Sequence, residues 1–385
     1  MVYLDNNATT PLDPAVAEKM AVFLRDYFGN PSSIYPIGRQ VKEIISEARE
    51  TIAGALGAHR TEIFFTGSGT EADNAALLGV WDAFPEKREI ITSTIEHPAI
   101  LETANYLEKK GARISYVPVD SYGTVDLEFL KDALSPRTAL ISIMHANNEI
   151  GTIQPIEAIS KIAREKGILF HSDAVQTFGK IDPKVDELGV DLLSISAHKI
   201  HGPKGIGALY IRKGTNIHPF VHGGHQERGM RAGTENTSGI VGFGEAVRIS
   251  AERGKKDRER ITKLAERLKK GIEEKIPKIR FNGHPERRIK STLNFAFPGI
   301  EAEAVLLALA TKEIYVSTGS ACSSESEEAS HVLLSIGLKP EIARSSVRMS
   351  LGRFNTEEDV DFVLRELPEI IEKLRKISSF SPDAY

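Results

Sequence analysis

Four side chains in this sequence have the types needed for covalent and acid–base chemistry: His97, Asp173, Lys199 and Cys322. A lysine amine condenses with a carbonyl, a carboxylate holds a ring nitrogen protonated, an imidazole moves a proton, and a thiolate is a nucleophile. The first three follow short apolar runs. Glu96-His97-Pro98 comes after 89–93, Asp173-Ala174-Val175-Gln176 after 169–172, and Ser196-Ala197-His198-Lys199 after 192–196. Asn147-Asn148-Glu149 stands after 139–144, and Thr66-Gly67-Ser68-Gly69-Thr70-Glu71 ends the run 62–66. Each has an ordinary reading by itself: a satisfied histidine, a capping aspartate, a solvated lysine, a glycine-rich helix cap. Their arrival at equivalent positions along successive runs is what points to chemistry.

Those runs predict strands, with further ones at 113–117 and 207–211, and amphipathic segments such as 72–80 and 155–166 fall between them. This alternation predicts βαβ units, a mostly parallel sheet and a large α/β domain. In such a sheet, ligands bind outside the carboxyl ends of the strands, which is where these residues stand. After Gly244 the character changes. A highly charged helix at 255–275 leads into a second domain, with strands at 292–297, 314–316 and 346–351 and helices at 301–311 and 356–376.

Composition removes competing readings. The chain of 385 residues has one cysteine, which excludes a disulfide framework and a multi-cysteine zinc site. Its formal net charge of −4 gives no global basic field for nucleic acid. No apolar run reaches the roughly 18 residues of a membrane span, and Met1 to Thr10 lack signal-peptide character, so a cytoplasmic protein is expected. The histidines form no HExxH pattern or compact ligand set, so no metal is expected.

The remaining set suits a cofactor with an anionic group, a protonated ring nitrogen and an aldehyde. Pyridoxal phosphate has all three, and it requires a Schiff-base lysine and an acidic partner for its ring nitrogen. Lys199 and Asp173 fit those roles, with Ser196, His198, Thr70 and the Gly69 backbone toward the phosphate and His97 against the ring. Around Cys322, the run from Thr318 to Ser324 is small and polar without apolar periodicity, which favours an exposed loop over a core. Arg348 lies inside an apolar strand and calls for a carboxylate, either a substrate's or a structural ion-pair partner's.

Taken together, these motifs resemble the cysteine desulfurases of the NifS/IscS type. The likeness runs from Tyr3-Leu4-Asp5-Asn6-Asn7-Ala8-Thr9-Thr10 through Glu96-His97, Asn147-Asn148-Glu149-Ile150-Gly151 and His171-Ser172-Asp173-Ala174-Val175-Gln176. It continues through Ser196 to Lys199, Gln226 to Thr234, Gly319-Ser320-Ala321-Cys322 and Arg348 to Arg353. The resemblance implies a fold type I pyridoxal phosphate enzyme: a large domain over 15–256 with a mainly parallel seven-stranded sheet, and a smaller α+β domain over 1–14 and 257–385 carrying the cysteine loop. It further implies that Lys199 holds the cofactor and moves the substrate's α proton, Gln176 bonds the ring's phenolic oxygen, and Gly69, Thr70, Ser196 and His198 bind phosphate. Thr234 would reach the phosphate of the other subunit in a homodimer, Asn148 would contact the cofactor, and Asn148 and Arg348 would hold the substrate carboxylate. Cys322 would take sulfur from L-cysteine as a persulfide, leaving L-alanine, and pass it to an acceptor such as an iron–sulfur scaffold protein. The alternative is a selenocysteine lyase or related β-lyase. A cofactor-binding protein without turnover is disfavoured by the joint presence of Lys199, His97 and Cys322.

Overall fold

The computed structural model describes residues 1–318 and 329–378, so the expectations for Gly319 and Cys322 lie outside the described residues. Twelve strands are present among those described: β1 (Val2–Tyr3), β2 (Ile63–Thr66), β3 (Glu89–Ser93), β4 (Arg113–Val117), β5 (Thr138–Ser142), β6 (Leu169–Asp173), β7 (Leu192–Ser196), β8 (Gly207–Ile211), β9 (Arg280–Phe281), β10 (Thr292–Ala296), β11 (Ile314–Tyr315) and β12 (Ser346–Ser350). Seven of them form one sheet in the order β2-β8-β7-β6-β5-β3-β4. Strand β8 alone runs against its neighbours, and the remaining pairs are parallel. Strand side chains alternate between faces. Ile91 and Ile141 therefore join Ile52, Phe170 and Phe243 on one side, while Ile90 and Leu140 join Leu77, Val80 and Ile100 on the other. Helices cover both faces, as a mostly parallel sheet requires.

The charged helix expected at 255–275 is the second half of a single 39-residue helix, Thr237–Lys275. Its early glycines signal tight packing rather than a break. A Cβ on Gly242 would stand 2.6 Å from Met20 Sδ, and one on Gly244 would stand 2.7 Å from Ala48 Cβ, so both allow close approach of helices Pro14–Asp26 and Pro36–Leu56. Beyond Gly254 the same helix enters a second core, where Leu264 and Leu268 meet Phe295, Phe297, Val347 and Met349. That core is built on an antiparallel sheet in the order β12-β10-β9, with helices Ala302–Ala310 and Glu357–Ile377 packed against it.

The amino terminus belongs to this second core, since β1 pairs with β11 and Val2 and Leu4 are buried there. The chain then crosses to the large sheet. Thr10 N donates to His198 O at 3.0 Å, and Asp13 N donates to His201 O at 3.0 Å. An apolar cluster also joins the two units, with Ile95, Met144 and Ile150 against Ala296, Val332 and Ile336. The carboxyl ends of the central strands therefore face a roof made by the second unit and the amino-terminal segment.

Candidate active site

Asp173 is the last residue of β6, buried with 7% exposure, and its Oδ1 accepts from Val175 N at 2.8 Å. Burial pushes its carboxyl up to about 6, against the Val175 amide and the Lys199 charge, which pull it down. One strand over, β7 ends at Ser196 and a single tight turn, Ala197–Lys199, turns the lysine toward the amino-terminal segment. Lys199 Nζ donates to Asn7 O at 2.6 Å and Ala8 O at 2.7 Å. His97 precedes helix Pro98–Lys109 and caps it, its Nδ1 accepting from Ala99 N at 3.1 Å. With Nδ1 an acceptor, the proton of the neutral ring sits on Nε2. Burial, then the Lys199 charge, lowers His97 to about 4, so the imidazole is neutral at physiological pH.

The glycine-rich turn after β2 opens helix Gly69–Ala83, with Ser68 Oγ accepting from Glu71 N at 3.1 Å. The helix starts earlier than the expected Ala72 because this cap fixes its first turn. A Cβ on Gly69 would lie 2.7 Å from Val175 Cγ2 and 3.5 Å from Ser196 Cβ, so the hydrogen of glycine leaves a cradle at a positive helix end. Ser196 Oγ is buried there without a hydrogen-bond partner. Thr70 is exposed at the same helix end, and His198 Nδ1 lies 3.1 Å from Thr9 Oγ1. An orphaned hydroxyl, a glycine cradle, an amine and a buried acid are the donor set that pyridoxal phosphate needs, and the residues fit it.

Two side chains anchor the segment leading to Thr234. Glu227 is gripped by Arg49 through two bonds of 2.6 Å and accepts from Phe65 N at 2.9 Å. Arg231 Nε donates to Glu71 Oε1 at 2.8 Å, and Glu71 Oε2 also accepts from Gly67 N in the glycine turn. Glu227 and Arg228 hold φ values of 46° and 58°, a left-handed conformation costing side-chain-bearing residues about 1–3 kcal/mol each. Thr234 itself is exposed ahead of the long helix.

Asn7, to which no sequence pattern assigns a role, is the hub of the roof. Its carbonyl accepts from Gln176 Nε2 at 2.9 Å, and its Oδ1 accepts from Lys180 Nζ at 2.7 Å. Its Nδ2 donates to Asn148 O at 3.0 Å and Thr292 Oγ1 at 2.9 Å. Arg348 reaches the same place, donating from Nη1 to Asn148 O at 3.2 Å and from Nη2 to Asp5 Oδ1 at 2.7 Å, while its buried Nε has no partner. Also unanticipated is a buried chain on the same strands. His171 lies 2.9 Å from both Ser142 Oγ and Ser194 Oγ and 3.6 Å from Asp73 Oδ1. Asn7 stands in a polar run without periodicity and Lys180 four places after Gln176, and neither pattern marks a site until the chain has folded. Among the described residues, no group of three His, Cys, Asp or Glu could hold a metal ion.

Residues 2–363 match the family model described as aminotransferase class-V. A cysteine desulfurase IscS of Dictyoglomus turgidum is 53% identical over 383 residues, covering 99% of this chain and 97% of the relative. A cysteine desulfurase IscS of Methanosarcina thermophila is 51% identical, covering 100% and 95%. Among solved structures, a NifS-like protein superposes with a TM-score of 0.91 at 44% identity, covering 97% of this chain and 100% of its own. The chain belongs to the class-V aminotransferase family of pyridoxal phosphate-dependent enzymes and, within it, to the cysteine desulfurases.

Proposed function

We propose that this enzyme removes the sulfur of L-cysteine as a persulfide on Cys322, releases L-alanine, and passes the sulfur to an outside acceptor such as an iron–sulfur scaffold protein. One observation carries the reading: Lys199, Asp173, neutral His97 and the unpaired Ser196 hydroxyl gather at one rim of the sheet. When bound, pyridoxal phosphate supplies an aldehyde for the substrate amine and a ring that draws electrons from the substrate's α carbon.

Lys199 holds the cofactor and afterwards carries the substrate's α proton. Asp173 would pair with the ring nitrogen, Gln176 would bond the phenolic oxygen and His97 would stack on the ring, while Gly69, Thr70, Ser196 and His198 would bind the phosphate. Arg348 offers the substrate carboxylate its spare Nε, beside Asn148. The Cys322 thiolate attacks the substrate sulfur. The Cβ–S bond breaks as the S–S bond forms, and the carbon keeps the electron pair and takes a proton to become the methyl of alanine. A neutral imidazole at His97 can accept or return a proton in this exchange.

We assign 15–256 to the cofactor-binding domain and 1–14 with 257–385 to the smaller one, in a cytoplasmic homodimer where Thr234 of the partner subunit completes each phosphate site. The strained and doubly anchored segment before Thr234 supports this, since a residue reaching into another subunit needs a fixed base. The test uses purified yellow protein mixed with L-cysteine. Equal amounts of alanine and a one-sulfur mass gain on the peptide containing Cys322 are expected, with the mass gain lost in Cys322→Ala and alanine lost in Lys199→Ala. Turnover by Lys199→Ala, or a protein that takes up no cofactor, refutes the reading.

A further inference from the structure

A cavity of about 250 Å³ lies where the long helix meets the 179–181 turn and the 288–291 and 351–353 segments. Lys199 borders it, but Gly69, Thr70, His97, Asp173 and Ser196 do not, so it is separate from the cradle described above. Its walls are apolar at Ile181, Ile261 and Leu351. Its charge is one-sided, with Lys180, Arg258, Arg288, Lys290 and Arg353 against Asp257.

Two of these cations are neutralised within the protein. Arg258 pairs with Asp182 at 3.0 Å, and Arg353 pairs with Asp13 at 3.0 Å and Asp257 at 2.8 Å. Three are not. Lys180 has the neutral Asn7 and Gln176 oxygens as partners, and Lys290 forms no ion pair among the described residues. Arg288 is 6% exposed and stacks at 4.4 Å on Phe281, and its Nε and Nη2 have no hydrogen-bond partner. A buried guanidinium without an anion is costly, and removing its charge would relieve that cost without disturbing the cofactor cradle. An unpaired guanidinium bordering an apolar-walled chamber suits an anion with a hydrocarbon body.

We infer that this cavity is a second binding site, for a small organic oxyanion whose carboxylate or phosphate head meets Arg288, Lys180 and Lys290 and whose short apolar body lies along Ile181, Ile261 and Leu351. Bordering Lys199 and sharing Lys180 with the roof, an occupant links the second unit to the reactive lysine.

The test is calorimetric titration of the cofactor-loaded enzyme, whose cofactor occupies the phosphate cradle, in the presence of excess L-alanine to fill the substrate site. The probes are butyl phosphate, pentanoate and uncharged 1-pentanol, and the two anions separate a phosphate site from a carboxylate site. At least one anion is expected to bind one per chain and more tightly than pentanol. Arg288→Gln is expected to weaken it about tenfold or more, which corresponds to about 1.4 kcal/mol. The half-buried Lys290→Gln is expected to weaken it roughly threefold, in keeping with one partly solvated charge, and it keeps the test decisive should Arg288→Gln fail to fold. If neither anion binds, or if binding is unchanged in these variants, the inference is overturned.

Discussion

Replacing Arg49 by Met should damage this enzyme far from its chemistry. The guanidinium holds Glu227 through two bonds of 2.6 Å, and the two side chains are 12% and 3% exposed. Met approximates the length of arginine but leaves Glu227 as a buried carboxylate with one remaining donor, Phe65 N. Stranding one member of a buried pair costs about 3–5 kcal/mol. Glu227→Gln strands Arg49 instead and should cost about as much, although its amide oxygen still accepts from Phe65 N. In the double variant neither charge is left unpaired, so it should cost less than the sum of the two by at least about 1.5 kcal/mol, well beyond the roughly 0.5 kcal/mol expected of independent sites. Urea unfolding of the four cofactor-loaded proteins measures this directly. The single variants should also lose cofactor faster, because the 226–234 segment is held to β2 through this clamp. Additive costs, or single variants as stable as the parent, would refute the argument that this pair secures the strained turn.

Glu96 is buried with its carboxyl against Ser93 Oγ at 2.5 Å and Met144 N at 3.0 Å, and burial raises it from 4.5 to about 8. Because its folded value is the higher one, its contribution is fully present below about pH 4.5 and is lost as pH rises through about 8. Glu96→Gln should therefore flatten the decline of the urea midpoint between pH 5 and 9, read by titrating both proteins. Gly69→Val fills the space at Val175 and Ser196, and cofactor affinity, followed by the visible absorbance, should fall by at least about tenfold, or roughly 1.4 kcal/mol. Asn7→Ala removes acceptor and donor bonds to Lys180, Asn148 and Thr292, and at about 1 kcal/mol per bond should lower stability by about 2–3 kcal/mol, with a larger fall in turnover than Leu12→Ala on the exposed surface.

The sheet was legible because its strands are short apolar runs punctuated by polar strand ends, and β3, β6, β7 and β8 lie within a residue of their expected limits. The residues after those strands could be placed together for the same reason: topology sets them on one rim, and no long-range contact is needed to know it. What escaped reading depends on approach between distant segments. Asn7 gains its partners from Asn148 and Thr292 only when the amino terminus crosses the sheet, and Arg288 lines a cavity only once the long helix runs past it. Gly242 and Gly244 in that helix illustrate the limit on local patterns. They weaken helix propensity, yet Met20 and Ala48 require them.

At about 1.5 Å per residue, Thr237–Lys275 is a continuous rod of about 58 Å with one end in each core, and the crossing from Val2 to Asp13 is a second tether beside it. Two ties at separate points act as a truss. They restrict rotation between the units to the axis through the two ties, and they couple the melting of either core to the other. Hydrogen exchange should therefore find the slowest amides of both units opening together.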